Sequence, residues 1–279
     1  MHRRLVRVLA PVSLVLGIGL GACETTEPEE LPEPVIHETA RFRIADYSSA
    51  PQSLIDQIGD RLETEFDRVG TVMPDFDPPP TPVPFNLFPG GGLAYVTPAE
   101  NSITQWREDL ALEYFTHQLA HLYTGYQQTE FIEEGLAVYV NEELRLEGEA
   151  PNPFRLQVPH AWVALFQQHQ STIPLAIALD ATNLGYSYDG SSIDASAWQL
   201  FIEAASFTRW MIETYGRVPW HQFYLSGDPT TVLTQDLAEI QQAWLDHATT
   251  AHPNPTACEE ALGTVGSREA FWCARARGE

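Results

Sequence analysis

The sequence predicts an α+β fold, a small N-terminal β-sheet with one helix followed by a mainly helical part. Two observations carry this. Residues 39–106 hold short alternating apolar segments broken by Pro and Gly, the pattern of strands and turns. Residues 107–250 hold apolar residues at helical spacing, with few such breaks. At 44% apolar residues the chain has enough material for a packed core.

Residues 1–22 read as a targeting segment rather than as structure. His2, Arg3, Arg4 and Arg7 precede an apolar run, Leu9 to Leu20, that is too short to cross a membrane. The run ends in Leu20-Gly21-Ala22-Cys23, which resembles a bacterial lipobox. The resemblance implies cleavage before Cys23 and lipid attachment to it, so that the membrane is met through Cys23 only. Residues 23–38 are acidic and Pro-rich and are expected to form a disordered tether. Glu24, rather than Asp, follows the Cys, which resembles the sorting signal for the outer membrane. The expected location is therefore the cell envelope, outside the cytoplasm.

All fifteen basic residues are Arg, and the formal charge is −23. Removing residues 1–22 takes away three Arg and no acid and leaves −26. Such a charge excludes nucleic acid and anionic lipid as natural partners.

Within the domain, Thr39 to Ala45 alternates as a strand. Pro51 to Val69 reads as a helix with Leu54, Ile58, Leu62, Phe66 and Val69 on one face. Val83 to Leu87 and Gly92 to Val96 read as strands around the Pro89-Gly90-Gly91-Gly92 turn. No Lys-Ser/Thr follows these glycines, so they do not form a phosphate loop.

The chemistry gathers in Thr116 to Val140, THQLAHLYTGYQQTEFIEEGLAVYV. Leu110, Tyr114, Leu119 and Leu122 lie at helical spacing through it. His117 and His121 are four apart, which stacks both imidazoles on one helical face. Gly125 suits the end of that helix and Thr129 the N-cap of the next. A hairpin of two helices returns Glu134 towards the histidines. Two His and one Glu with an open position form a known zinc ligand set. The metallopeptidase motif H-E-x-x-H has its general base after the first His, and here that position is Gln118.

HQLAH followed by FIEEGLAVYV resembles the gluzincin metallopeptidases, and most closely the bacterial peptidase-MA-like group. The resemblance spans about residues 38–248, with its specific part in the two motif helices. It implies Zn²⁺ held by His117, His121 and Glu134, and a sheet edge that pairs with an extended peptide or protein. It also implies that Gln118 replaces the base. A Gln amide can orient water by hydrogen bonding but cannot accept and return a proton. Acid–base catalysis supplies about 10²- to 10⁴-fold, or about 3–5.5 kcal/mol of barrier. Glu113 and Glu133 are the nearby carboxylates, read as supporting or solvated charges. The helix Trp198 to Tyr215 resembles a family helix whose Tyr position is here Phe201.

Three readings follow. The chain is a zinc-binding, peptidase-like domain with weak or absent hydrolysis, an active peptidase with a non-standard base, or a structural surface lipoprotein without metal.

After the motif, Ala161 to Gln168 and Leu233 to His247 read as helices, Pro174 to Leu179 as a further apolar piece, and residues 183–196 as a polar loop. His160, His169, His221 and His247 lack ligand-like spacing and read as surface or satisfied core histidines. In the tail, residues 251–279, Cys258 and Cys273 remain once Cys23 is lipidated. In an exported protein a bridge between them is expected, contributing about 3 kcal/mol in the chain-entropy model.

Overall fold

Alternation on the strands and a 3.6-residue period on the helices sort the apolar side chains to one side of each element. The computed structural model describes residues 33–92, 94–110, 112, 115–145, 159–180, 195–256 and 273–274, and these form an α+β arrangement. Five strands, β1 (Val35–Glu38), β2 (Phe42–Asp46), β3 (Val83–Phe88), β4 (Tyr95–Thr97) and β5 (Ser102–Trp106), make one sheet in the order β1-β2-β3-β5-β4. β2, β3 and β5 run parallel, while β1 and β4 are antiparallel edges. Helix α1 (Gln52–Val72) connects β2 to the parallel β3. Its Ile55, Ile58, Leu62, Phe66 and Val69 are buried, as are Phe42 and Ile44 of β2 and Val83, Phe85 and Leu87 of β3.

Two strands depart from the sequence reading. The tether is expected to reach Glu38, but Val35–Glu38 form β1, paired with β2 from Val35 opposite Asp46 to Glu38 opposite Arg43. β1 is mostly exposed, so its pairing comes from backbone hydrogen bonds that composition does not reveal. β5 is absent from the sequence reading. Its Ser102, Thr104 and Gln105 are polar yet buried between two neighbouring strands, which hides the apolar alternation.

The helices follow. They are α2 (Phe115–Thr124), α3 (Glu130–Glu143), α4 (Pro159–Gln168), α5 (Leu175–Asp180), α6 (Ala195–Tyr215), α7 (Arg217–Ser226), α8 (Pro229–Leu233) and α9 (Leu237–Ala251). α5, which takes up the apolar piece after Pro174, and α7 and α8 are additional to the helices expected, and the final helix begins at Leu237 rather than Leu233. Leu110 is extended rather than part of the motif helix, and Tyr114 lies outside the described residues. Among the described residues, no helix is long and apolar enough to cross a membrane.

Three contacts hold the motif hairpin in this frame. Phe115, at the start of α2, meets Phe85 of β3 edge-on at 5.4 Å. Tyr123, near its end, donates to the Phe66 carbonyl of α1 at 3.0 Å. α3 lies against α6 at Gly135, where an added Cβ would meet Ala204 O at 2.7 Å and Thr208 Oγ1 at 2.9 Å. The glycine of the Glu-Gly pair is thus required by a close approach of helices, independently of any chemistry.

Candidate metal centre

α2 is buried along its whole length, so its two histidines face the interior rather than solvent. Their spacing of four brings Nε2 of His117 to 3.1 Å from Nε2 of His121. The helix then stops at Gly125, which adopts φ +65° and gives its N–H to the His121 carbonyl at 3.0 Å. Tyr126 follows, also left-handed at φ +52°. These two residues turn the chain back into α3, with Thr129 at the N-cap position in an extended conformation.

Glu134, just past the first turn of α3, therefore comes to face the histidines. Its Oε2 is 3.3 Å from His117 Nε2 and its Oε1 is 3.6 Å from His121 Nε2. Ligand atoms about 2.05 Å from a tetrahedral zinc stand about 3.3 Å from one another. The separations of 3.1, 3.3 and 3.6 Å bracket that spacing, with the two from Glu134 taken to different carboxylate oxygens. One ligand atom from each residue lies within 4.8 Å of the others, the donors are imidazole and carboxylate, and all three residues are buried. The residues present thus fit a zinc ion. Tyr126 adds a hydrogen bond from its hydroxyl to Glu134 Oε1 at 3.2 Å, and its ring lies 4.9 Å from that of His121. This orients the carboxylate from behind, as partners of metal ligands do.

Burial and mutual interaction set the electrostatics of the three residues. Burial dominates at His117 and lowers its pKa. Burial acts the same way on His121, but the Glu134 carboxylate outweighs it and leaves the pKa raised. Burial alone would raise Glu134. The charge of His121 and hydrogen bonds from both histidines hold it far below the usual carboxylate range.

Glu133 does something else. Its Oε1 accepts the Tyr224 hydroxyl at 2.7 Å and the Gln128 N–H at 2.9 Å, and its Oε2 lies 2.7 Å from the Thr124 hydroxyl. It is almost fully buried. It ties the end of α2, the turn and α7 together, so of the two alternatives Glu133 is the supporting charge and not the solvated one. Burial and the Glu133 charge raise the Tyr224 hydroxyl well above the usual tyrosine value, so Tyr224 remains a donor. Neither Tyr126 nor Tyr224 stands out in the sequence as a site residue. Tyr126 carries one legible signal, its place in the turn between the two motif helices.

Gln118 is buried beside His117 on α2. Phe201 is buried in α6. Glu113, Cys23 and Cys258 lie outside the described residues, whereas Cys273 is buried and disulfide-bonded.

Glu133→Ala leaves three donors without their shared acceptor. The variant is expected to lose about 3 kcal/mol or more of stability in urea unfolding with chelator present. A solvated charge at that place would cost no more than about 0.5 kcal/mol, and that result would contradict the latch.

No protein-family model matches the chain, and no curated protein matches it.

Proposed function

We propose that the protein is a lipid-anchored, zinc-binding domain of gluzincin-like design that holds an extended peptide or protein and hydrolyses it weakly or not at all. One observation carries this reading: the convergence of His117 Nε2, His121 Nε2 and Glu134 at zinc-like separations on a helix whose next residue is Gln118. Zinc in such a site supplies Lewis acidity, polarising a carbonyl and acidifying water. The protein's own groups then set the outcome. Tyr126 and Glu133 hold the ligand helix in place. Gln118 offers hydrogen bonds but no site for a proton, so the shuttling step of peptide hydrolysis lacks its usual carrier.

The sheet supports the binding half of the proposal. β4 is an edge strand, and α2 packs beside it. An extended peptide added to that edge would gain backbone hydrogen bonds close to the metal ligands.

The test is a pair of variants. Gln118→Glu is expected to keep its zinc and to cleave a quenched peptide library about 10²- to 10⁴-fold faster than the native protein. His121→Ala is expected to lose one equivalent of zinc in elemental analysis after dialysis. Native protein that already cleaves as fast as the Gln118→Glu variant would remove the impaired-hydrolysis reading. Equal zinc with and without His121 would remove the metal assignment.

Lipidation at Cys23 rests on the Leu-Gly-Ala-Cys sequence and the acidic residues after it. Mass spectrometry of the membrane fraction is expected to find acyl chains on Cys23, and an unmodified Cys23 in soluble protein would contradict this.

A further inference from the structure

His160, His247 and Glu213 have no ligand-like spacing in the sequence, yet the fold brings them together from three helices. His160 lies on α4, Glu213 on α6 and His247 on α9. The Nε2 atoms of the two histidines are 3.8 Å and 3.7 Å from the same oxygen, Glu213 Oε2. Their rings meet edge-on at 5.1 Å. One ligand atom from each residue falls within a common 4.8 Å.

The buried member of the set is the informative one. His160 is 5% exposed, and its Nδ1 lies 2.7 Å from Ser206 Oγ. The same hydroxyl oxygen receives the indole N–H of Trp244 at 3.0 Å. Ser206 thereby anchors the Nδ1 side of the imidazole and leaves Nε2 towards Glu213 and His247. That Nε2 is buried and has no hydrogen-bond partner among the described residues. An unpartnered buried nitrogen is costly unless something fills its place.

Arg209 completes the arrangement. Its Nη1 is 3.6 Å from Glu213 Oε1, which steers the other carboxylate oxygen towards the histidines. The 3.7–3.8 Å separations exceed the zinc-like spacing of about 3.3 Å by a few tenths of an ångström. Glu213 and His247 are partly exposed at 46% and 35% and can close that gap by side-chain rotation onto the fixed His160.

We propose that His160, Glu213 and His247 form a second metal site for a divalent transition ion such as Zn²⁺, separate from the first, that clasps α4, α6 and α9. Two imidazoles and one carboxylate suit zinc, copper or nickel rather than calcium or magnesium. The open side formed by Glu213 and His247 leaves room for water as a further ligand. An ion bound to the folded state alone stabilises the fold by mass action.

The probe is Zn²⁺ alone, titrated into the full chain against a chromogenic chelator, with thermal unfolding followed in parallel. The native chain is expected to bind two equivalents. His247→Ala and Glu213→Gln should each remove one equivalent, weakening that site by about 100-fold or more, since even the supporting partners of ligands are worth about 10- to 100-fold. Both variants should also lose the part of the zinc-dependent rise in Tm that His121→Ala retains. His247 and Glu213 are partly exposed, so neither change empties the core. His121→Ala is expected to keep the equivalent that His247→Ala loses, and that outcome supports the second site even where the first binds nothing. Undiminished zinc in His247→Ala, or complete loss of zinc in His121→Ala, would overturn the proposal and leave an ordinary His–Glu ion pair.

Discussion

The carboxylate of Glu133 is the constraint on which the motif hairpin depends. A charge taken out of water is costly unless donors surround it, and here three are supplied by the end of α2, by the turn and by α7. The turn between the motif helices is therefore closed by one buried group rather than by helix propensity. Consecutive residues on a helix point about 100° apart. With Glu133 committed to the turn, Glu134 is directed to the two histidines, and Gly135 to the contact with α6. Three adjacent residues thus face three separate partners: the turn, the two histidines and α6.

The same division explains why α2 can carry polar groups through the interior. His117, Gln118 and His121 are all buried. The helix stays in place because Phe115 engages the sheet at one end and Tyr123 engages α1 at the other. His117 and His121 are held by packing at both ends of their helix, which is what the proposed metal site needs to keep its geometry.

Much of this is legible in the sequence because it is local. The spacing of His117 and His121, the helix stop at Gly125, the restart at Thr129 and the return of Glu134 all come from helical geometry and turn chemistry. The features that stay hidden depend on distant partners. Glu133 is paired by Tyr224, which no nearby pattern announces. His160, Glu213 and His247 converge only through the packing of α4, α6 and α9. β5 escapes notice because it is buried on both faces yet carries polar side chains, and β1 because an exposed edge strand has the composition of a tether. Phe201 is buried in the hydrophobic core.

The central claim is that His117, His121 and Glu134 hold one zinc ion on a scaffold whose proton carrier has been replaced. Anomalous diffraction at the zinc edge from zinc-soaked crystals tests it most directly. The expected result is a peak about 2.0–2.2 Å from Nε2 of His117, Nε2 of His121 and a carboxylate oxygen of Glu134. Crystals with zinc bound elsewhere and no peak between these three side chains would contradict it.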